Sequence, residues 1–436
     1  MIVKYLFTDL AGIIRGVEKT VRDPFRDKAF FDASSVKGFE KIENSDLMLR
    51  CIDNLYSFPF RSGVKYCIAS IFTPQDDRYV KDPRAVAEKL REMLSRDGMK
   101  ARIGVEIEFF LVKEVRASIG LSEQTVKIGV VETPETGGAI PVKKGYFLVE
   151  PLDSVGGIRL DFIHYMELLG YRPVKSHHEV ATTGQVEVTS PVLDPVLLGD
   201  YTVLFKIIAR TVAELSGFKA LFLPKPFYGD NGSGMHVHVS LWRGGENIFY
   251  DPSEEYGLSK TARYFIGGLL EHGRSLSAIV SPTVNSYRRL VPGYEAPTLL
   301  AWGPGNRSTA IRVPMTRNSG SFRIEYRPPD PLVNPYLAYA AIVLAGLDGV
   351  KKKIEPPPPL LKNAYKLSES EVRELGLQRL PRSLWEAIDE LESDYGYLRP
   401  VFPRELIESY IDVKREESLR LQSVPSPAEF VEYMMY

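Results

Sequence analysis

Two glutamates interrupt an otherwise apolar stretch, GVEIEFFLV, at residues 104–112. Successive side chains of a β-strand point to opposite faces, so Glu106 and Glu108 would share one face while apolar side chains fill the other. Two neighbouring carboxylates repel each other, and burying them costs free energy. A divalent cation in front of each carboxylate would offset both costs, which makes this face a candidate metal site.

Further carboxylates and imidazoles gather in two later segments. SHHEVATTGQVEV predicts a strand, a Thr-Thr-Gly turn and a second strand, with Glu179 and Glu187 on either side of the turn. DNGSGMHVHVSLW places His236, His238 and Ser240 on one strand face, where alternate histidines can aim both imidazoles at one point. With glutamates as the other donors and no cysteine beside them, Mg²⁺ or Mn²⁺ fits better than Zn²⁺. Taken singly, a buried glutamate is more often a paired structural residue than a ligand, and two such histidines could be ordinary surface residues.

Arginines gather in the segments that follow. They are Arg289 in NSYRRLVPGYEAP, Arg307 and Arg312 in GNRSTAIRVP, and Arg323 and Arg327 on either side of Glu325 in SFRIEYRPPDP. A row of alternating charges on a strand can be a simple salt-bridge row, but the guanidinium fork also matches phosphate and carboxylate oxygens. Acidic clusters for metals together with arginines for anions indicate phosphoryl transfer. The sequence has no Gly-x-x-x-x-Gly-Lys-Ser/Thr motif, which argues against a P-loop enzyme.

The composition is that of a globular protein with more than one domain. The chain has 436 residues, more than one hydrophobic core usually organises. A formal net charge of −1 gives no reason to expect nucleic acid or an anionic membrane as a partner. Cys51 and Cys67 lack metal-type spacing and are too few for a disulfide scaffold, which favours a reducing, cytoplasmic location. Asp9 precedes any long apolar run, which argues against a secretory signal.

The first hundred residues predict a small, strand-rich domain. KYLFTDLAGIIRGVEKTV suggests a hairpin that turns near Gly12, and GVKYCIASIFT suggests another strand. DPRAVAEKLREMLSRDG follows as a helix, with Asp82 as its N-cap, Pro83 in its first turn and Gly98 past its end. We therefore expect a first domain at residues 1–98 and a second at residues 99–436.

In the second domain strands and helices alternate in larger units. DPVLLGDYTVLFKIIARTVAELSG predicts a long amphipathic helix, and the apolar run at residues 337–347 predicts a buried helix because it is too short to span a bilayer. KKKIEPPPPL should be a surface connector, since four prolines remove backbone donors. Residues 366–420 look helical and highly charged. The apolar tip PAEFVEYMMY is expected to dock on another surface, such as a neighbouring subunit.

Along nearly its whole length the chain resembles type I glutamine synthetases. The matching segments occur in the family's order: FDASS, VEIEFF, GYFLVEPLDS, HHEVATTGQVEV, KPFYGDNGSGMHVHVSL, NSYRRLVPGYEAP, GNRSTAIRVP, FRIEYRPPDPLVNPYLA and PSPAEFVEYMMY. The resemblance implies an α+β fold, with a small β-grasp-like N-terminal domain and a large catalytic domain of helices and a curved antiparallel sheet. It also implies a cytoplasmic enzyme of nitrogen assimilation.

The resemblance implies two or three Mg²⁺ or Mn²⁺ ions in each active site, with ATP as a substrate. The positions that match ligands of the tighter metal are Glu108, Glu179 and Glu187, and those that match ligands of the nucleotide-side metal are Glu106, His236 and Glu325. The positions that match nucleotide or phosphate contacts are His238, Ser240, Arg312 and Arg323. The positions that match glutamate contacts are Arg289, Arg327, Asn231 and Gly232.

The implied reaction begins when the γ-carboxylate of glutamate attacks the γ-phosphate of ATP, with Arg307 near the transferred group. The γ-glutamyl phosphate is easily hydrolysed, so water must be excluded. Asp32 matches the carboxylate that binds ammonium and removes its proton, and Asp46 lies on the same amine side. Glu295 matches a residue of a shielding loop, and Tyr146 resembles another wall of the ammonium pocket. Asp32 would come from the adjacent subunit in a dodecamer of two stacked six-membered rings.

Other functions fit part of the pattern. A γ-glutamyl ligase that prefers an organic amine or polyamine would share nearly every motif. A non-catalytic assembly of the same fold would be expected to have lost metal ligands, and the sequence retains all six matching positions. A metallohydrolase built on His236 and His238 would explain the acidic residues and the histidines but not the arginines. The leading hypothesis is an ATP-dependent glutamate-ammonia ligase.

Overall fold

The structure is a computed structural model that describes residues 1–132 and 140–434. Its strands are β1 (Ile2–Thr8), β2 (Ile14–Thr20), β3 (Ala29–Asp32), β4 (Asp46–Tyr56), β5 (Val64–Phe72), β6 (Met99–Val112), β7 (Glu114–Ile119), β8 (Gln124–Gly129), β9 (Lys175–His178), β10 (Gln185–Thr189), β11 (Lys219–Leu221), β12 (Met235–Arg243), β13 (Glu246–Asn247), β14 (Leu299–Leu300), β15 (Trp302–Pro304), β16 (Ile311–Val313), β17 (Ile324–Tyr326) and β18 (Gln378–Arg379). Its α-helices are α1 (Pro83–Arg96), α2 (Gly156–Leu168), α3 (Pro195–Leu215), α4 (Lys260–Glu271), α5 (Gly273–Val280), α6 (Val284–Arg289), α7 (Pro335–Lys352), α8 (Glu369–Glu374), α9 (Leu384–Ser393), α10 (Arg404–Gln422) and α11 (Pro427–Tyr433).

The N-terminal strands form one five-stranded sheet in the order β2-β1-β5-β4-β3. Strands β1 and β5 are parallel and the other neighbours are antiparallel. The predicted hairpin turn is confirmed, with Gly12 in the left-handed region at φ +84°. A Cβ at this glycine would lie 2.9 Å from backbone atoms of Asn334, so the turn packs directly against the residue that precedes α7.

The two cysteines correct an expectation drawn from the sequence. Cys51 on β4 and Cys67 on β5 form a disulfide rather than the pair of thiols that a reducing compartment would keep. Between Cys51 and Leu55 the register of these strands shifts by a bulge, so Leu55 rather than Cys51 lies opposite Cys67. Sequence spacing did not reveal the pair, because the pairing depends on this irregular register.

The helix predicted after the first sheet is confirmed as α1. Asp82 caps it by accepting a hydrogen bond from the backbone N–H of Arg84, and Pro83 stands in its first turn. The Arg84 side chain donates to Asp200 on α3, and Tyr336 on α7 donates to the same carboxylate. Thus α1 is anchored to α3 and α7, and the domain boundary at residue 98 stays a prediction.

The larger part of the chain after residue 98 is organised by a nine-stranded sheet with β6 near its centre. The main path is β15-β16-β17-β12-β6-β10-β9, and β11 and β13 pair with β6 and β12. Val105, Ile107 and Phe109 are fully buried on one face of β6, where the ring of Phe109 lies 5.9 Å from that of Phe205 on α3. The predicted alternation is confirmed, and the opposite face carries the two glutamates.

The remaining helices also follow the sequence pattern. The predicted long helix is α3, and the apolar run at residues 337–347 lies in the buried helix α7. The four prolines at 356–359 lie in an irregular segment after α7, and α8, α9 and α10 fall within the charged region. Across residues 1–132 and 140–434, none of the helices combines the length and apolar character needed to cross a bilayer.

Candidate active site

A cavity of about 960 Å³ opens over the glutamate-bearing face of β6. Its walls come from β6, β9, β10, β12 and the loops around residues 143, 231, 295, 307 and 363. Among the residues singled out from the sequence, the cavity is lined by Glu106, Glu108, Glu179, Glu187, His236, Asn231, Gly232, Arg289, Arg327, Tyr146, Glu295 and Arg307. The motifs therefore converge on one concave surface.

One candidate metal centre is formed by β6, β12 and β17. The ligand atoms of Glu106, His236 and Glu325 all lie within 4.8 Å of one another. Nδ1 of His236 is 3.2 Å from Glu106 Oε2, 3.7 Å from Glu108 Oε1 and 3.8 Å from Glu325 Oε1. Antiparallel pairing places His236 directly opposite Glu106, and this register brings the two strand motifs together.

Glu325 is a buried carboxylate held between two arginines. Arg312 Nη1 donates to its Oε2 at 2.5 Å, and Arg327 Nη1 donates to its Oε1. Burial opposes ionisation of Glu325, but the charge of Arg327 and the nearby histidines outweighs it, and the pKa of this carboxyl falls to about 2. The residue therefore offers an ionised ligand at neutral pH.

A second acidic group lies on the β9–β10 side of the cavity. Glu187 stands opposite Glu108 in antiparallel register, and Glu179 follows directly after β9. Burial and the charges of Glu108 and Glu187 raise the pKa of Glu179 well above its ordinary value, and burial raises that of Glu108. The left-handed turn at Thr183 and Gly184 joins the two glutamates, and a Cβ at Gly184 would lie 2.5 Å from the carbonyl oxygen of Leu111.

The structure adds His177 to this group. Its ring nitrogens lie 3.1 Å from Glu187 Oε1 and 3.8 Å from Glu179 Oε1, and the ligand atoms of these three residues lie within 4.8 Å of one another. Glu108 lies beside both groups, because its Oε1 is 3.7 Å from Nδ1 of His236 and its backbone stands opposite Glu187. Its Oε2 accepts a hydrogen bond from Gly234 N–H. The period-two rule for strands would have found His177, since it precedes Glu179 by two positions.

The donor chemistry of both groups suits hard divalent cations. Carboxylate oxygens dominate, imidazole nitrogens complete each set, and both cysteines are joined in the N-terminal sheet. Burial raises the pKa of Glu106, but hydrogen bonds from His236 and His238 overcome this and lower it. An array of ionised or mutually repelling carboxylates at one cavity wall is stabilised by bound cations.

His238 and Arg323 form an ordered pair beside Glu106. Arg323 Nε–H donates to His238 Nδ1 at 3.1 Å, so the proton of a neutral ring is on Nε2, which lies 3.2 Å from Glu106 Oε1. Ser240 follows on the same strand face, and its Oγ accepts a hydrogen bond from Trp242 Nε1–H at 2.9 Å. His238, Arg323 and Ser240 do not line the cavity. His238 contacts Glu106, which does line it.

Arg289 is buried and engages the backbone that follows β17. Its guanidinium donates to the carbonyls of Arg327, Pro328 and Pro329 at 2.8 to 3.2 Å. A Cβ on Gly234 would lie 2.5 Å from Arg289 Nη2, so this glycine makes room for the guanidinium. Arg289 thus positions the segment that carries Arg327, and both side chains face the cavity.

Loops close the opposite side of the cavity. The backbone of Glu295 is left-handed at φ +60°, and its carbonyl accepts a hydrogen bond from Arg327 Nη2 at 3.3 Å. Tyr146 stacks on Phe147 with ring centroids 4.2 Å apart and meets the edge of His177. Asn231, whose buried Oδ1 has no hydrogen-bond partner among the described residues, lies next to Gly232 on a third loop.

Asp32 and Asp46 are placed apart from this cavity. They face each other at the β3–β4 edge of the N-terminal sheet, and both are exposed. Asp32 accepts hydrogen bonds from the Ser34 and Ser35 hydroxyls and from the Ser34 N–H, and the Ser34 contacts are the main reason that its pKa is lowered. Within the described part of one chain these two carboxylates do not line the cavity.

Two further features were not predicted. Lys175 Nζ lies 3.2 Å from Glu187 Oε1, which places a fixed positive charge at the cavity wall. Behind the wall, His178 bridges Glu132 at 3.1 Å and the carbonyl oxygen of Glu179 at 2.7 Å. Both nitrogens of this ring face acceptors, so His178 holds the backbone of Glu179 in place. These contacts join segments far apart in sequence, which pattern alone does not reveal.

Comparison with known proteins covers nearly the whole chain. A model of the glutamine synthetase β-grasp domain matches residues 1–74, and a model of the glutamine synthetase catalytic domain matches residues 80–433. A glutamine synthetase from Sulfolobus acidocaldarius is 43% identical, with 98% of this chain and 94% of that protein covered. One from Thermococcus kodakarensis is also 43% identical, with coverages of 89% and 83%.

Solved structures show the same fold. A cryo-EM structure of Plasmodium falciparum glutamine synthetase superposes with a TM-score of 0.90 at 28% identity, and covers 99% of this chain and 95% of that one. A structure titled GmaS/ADP complex superposes with a TM-score of 0.86 at 28% identity, with coverages of 100% and 97%.

Proposed function

This chain belongs to the glutamine synthetase family, and we propose which of its residues perform the reaction. The reaction is the ATP-dependent formation of glutamine. The α+β fold, with its β-grasp domain and large catalytic domain, agrees with that assignment. The relatives named glutamine synthetase do not favour the alternatives of an organic-amine ligase, a non-catalytic assembly or a metallohydrolase.

The observation that carries the proposal is the pair of ligand groups at one cavity, whose wall includes every member except Glu325 and His177. Glu106, His236 and Glu325 would hold the nucleotide-side cation, and Glu179, Glu187 and Glu108 would hold the second, with His177 beside it. When bound, these cations would neutralise phosphate charge and polarise the transferred phosphoryl group. Mg²⁺ and Mn²⁺ are the proposed ions, because carboxylates dominate both donor sets.

The arginines of the cavity would share the work of charge neutralisation. Arg307 lines the cavity, and the ion pairs of the buried Glu325 are made by Arg312 and Arg327 instead. We therefore assign Arg307 to the transferred phosphoryl group. Arg327 and the Asn231–Gly232 loop would hold glutamate, with Arg289 fixing the backbone beside them. His238, Ser240, Arg312 and Arg323 are assigned to the nucleotide side, next to Glu106 and Glu325.

The proposed chemistry has two steps. The γ-carboxylate oxygen of glutamate attacks the γ-phosphorus of ATP, the bond to the bridging oxygen breaks, and ADP leaves. Ammonia then attacks the acyl carbon, the bond to the phosphate oxygen breaks, and phosphate leaves with the electron pair and takes up the proton that the nitrogen loses. Asp32, held as a carboxylate by its serine neighbours, would accept the ammonium proton, with Asp46, Tyr146 and Glu295 lining the amine side.

Asp32 can reach such a site if a neighbouring subunit supplies it. We propose a homo-oligomer, a dodecamer of two hexameric rings, with each site completed across a subunit boundary. The exposure of Asp32 and of the nearby apolar side chains Phe30 and Ile42, which are 60% and 79% exposed, supports this. Light scattering of the purified protein should give about twelve times the 49.1 kDa chain mass.

We place the protein in the cytoplasm, where ATP, glutamate and ammonium meet. The Cys51–Cys67 disulfide is compatible with this location because its residues are only 3% and 1% exposed, and disulfides do occur in intracellular proteins of hyperthermophiles.

The assignment is tested by incubating the purified protein with ATP, Mg²⁺, L-glutamate and ammonium. Glutamine, ADP and phosphate should form in equal amounts, and omission of any substrate or of the metal should stop glutamine formation. A panel of organic amines at matched concentration provides the control for the acceptor. If the protein strongly preferred one of those amines over ammonium, that amine rather than ammonia would be the acceptor.

A further inference from the structure

Tyr294, which has no role in the proposed reaction, lines the cavity, and its ring contacts two lysines. Lys225 Nζ is 3.7 Å from the centroid of its ring, and Lys143 Nζ is 4.6 Å from the same centroid. Tyr294 and Lys143 line the cavity together with Glu295, and Lys225 contacts the ring from outside the cavity wall. An ammonium group over an aromatic face is attracted by the ring quadrupole.

The residues before and after Tyr294 are also held by hydrogen bonds to their backbone carbonyls. Lys143 Nζ donates a 2.7 Å hydrogen bond to the carbonyl of Gly293, and Arg327 Nη2 donates a 3.3 Å hydrogen bond to the carbonyl of Glu295. Gly293 and Glu295 both have positive φ, at +94° and +60°. A left-handed glutamate is unfavourable on its own, so contacts with the surroundings must hold the loop in this shape.

The three anchors come from separate segments of the chain. Lys143 belongs to the segment that leads to Tyr146, and Arg327 follows β17. Lys225 belongs to the loop before β12, where Asn285 of α6 fixes its backbone by hydrogen bonds of 2.7 and 3.1 Å to its N–H and carbonyl. The loop at residues 293–295 therefore contacts three separate segments, two of which line the cavity.

We propose that Tyr294 is a latch: its ring, held by Lys143 and Lys225, keeps the Glu295 loop closed over the acyl phosphate during the reaction. Tyr294 is thus a positioning residue that acts through the loop. This inference rests on the proposed function, since it needs a γ-glutamyl phosphate to protect.

The latch makes a specific chemical prediction. If the loop opens too soon, water attacks the acyl carbon of γ-glutamyl phosphate, the bond to the phosphate oxygen breaks, and glutamate and phosphate are released without glutamine. Each cation–π contact shifts a two-state equilibrium about 2- to 30-fold, depending on how far it is desolvated. Loss of the latch should therefore raise the amount of phosphate released per glutamine formed.

The experiment compares Tyr294→Leu with Tyr294→Phe in the full chain, supplied with ATP, Mg²⁺, glutamate and limiting ammonium. Phenylalanine keeps the ring face, so its phosphate-to-glutamine ratio should stay near one, as in the wild type. Leucine fills similar space without a π face, so the ratio should rise at least about 2-fold. The proposal would be overturned if Tyr294→Leu and the wild type had equal phosphate-to-glutamine ratios. It would also be overturned if the ratio rose equally in Tyr294→Leu and Tyr294→Phe.

Lysine variants keep the proposal testable if Tyr294→Leu does not fold. The double variant Lys143→Met with Lys225→Met should also uncouple phosphate release, because it removes both cations from the Tyr294 ring. Lys144→Met should not, because Lys144 is exposed and is not one of the two lysines that contact the ring. An unchanged ratio in the double variant would contradict the proposal. If the wild type formed no glutamine at all, the proposed function would fail instead, which is a distinguishable result.

Discussion

Glu108 on β6 and Glu187 on β10 stand directly opposite each other in antiparallel register, both buried. Like charges opposite each other destabilise a sheet, and burial raises the pKa of Glu108. The arrangement becomes favourable when cations occupy the wall in front of the strands. We propose that each of the two glutamates of β6 then serves mainly one ligand group, Glu106 that of His236 and Glu108 that of Glu187.

The first prediction separates those two roles. Glu106→Gln should weaken the nucleotide-side metal by at least about tenfold, whereas Glu108→Gln should mainly weaken the other, because each change removes a charged oxygen from one group. Mn²⁺ binding followed by electron paramagnetic resonance, with and without ATP, measures both sites. Equal affinities in the two variants and the wild type would contradict the assignment.

A second prediction concerns the anchor between α1 and the catalytic helices. Arg84→Met should lower the free energy of unfolding by about 3–5 kcal/mol, because it leaves the buried Asp200 carboxylate without its main partner. Asp53→Asn is the matched control, since Asp53 contacts the same guanidinium but its side chain is 50% exposed. Denaturant unfolding should show a change within about 1 kcal/mol for the control. Similar losses in both variants would count against a special role for the Asp200 contact.

The third prediction is a pH dependence of stability at His272, far from the cavity. Its ring nitrogens are each 2.8 Å from a carboxylate oxygen, on Asp348 and Asp394, and its ring stacks on Tyr397. Burial lowers the pKa of His272, but hydrogen bonds to the two carboxylates outweigh it and raise the pKa above its ordinary value. Lys352 and Ser275 also contact these carboxylates.

A raised pKa in the folded state sets the sign of this effect. The stabilisation from the imidazolium is fully present below about pH 6.5, the ordinary pKa, and is lost as pH rises through the higher folded pKa. Wild type should therefore exceed His272→Gln in free energy of unfolding by about 1.5–3 kcal/mol at pH 6. The difference should shrink as pH rises above neutrality. A difference that is constant or grows with pH would show that charge on His272 is not the cause.

The fourth prediction tests the disulfide. Replacement of Cys51 and Cys67 by alanine should lower the free energy of unfolding by about 2–4 kcal/mol, since the bond restricts the unfolded chain. Thermal unfolding with and without a thiol reductant provides the comparison. The reductant should lower the melting temperature of the wild type and leave that of the double variant unchanged. If fully reduced wild type melts at its original temperature, the bond contributes nothing.

Local patterns predicted much of this molecule. Alternation along β6 placed Glu106 and Glu108 on the cavity face, and the cap at Asp82 located α1. These two predictions depend only on the side-chain periodicity of one strand and on the capping residues of one helix. Both kinds of signal can be recognised directly in the sequence. The convergence of His236 with Glu106 was expected from the resemblance, and the strand register provides it.

Contacts between distant segments were beyond such patterns. The Tyr294 ring meets lysines from positions 143 and 225, and the Cys51–Cys67 pair depends on a bulge in the β4–β5 register. These contacts depend on how loops and strands are packed in three dimensions, and periodicity carries no information about that. His177 is different, because the alternation rule applied to β9 would have added it to the acidic group.

The central claim is that the γ-carboxylate of glutamate attacks the γ-phosphate of ATP in this cavity. L-Glutamate labelled with ¹⁸O in its γ-carboxylate tests it directly, in a reaction with unlabelled ATP, Mg²⁺ and ammonium. The carboxylate oxygen that attacks phosphorus leaves with it, so the phosphate should carry one ¹⁸O atom for each glutamine formed. Glutamine formation accompanied by unlabelled phosphate would contradict the account.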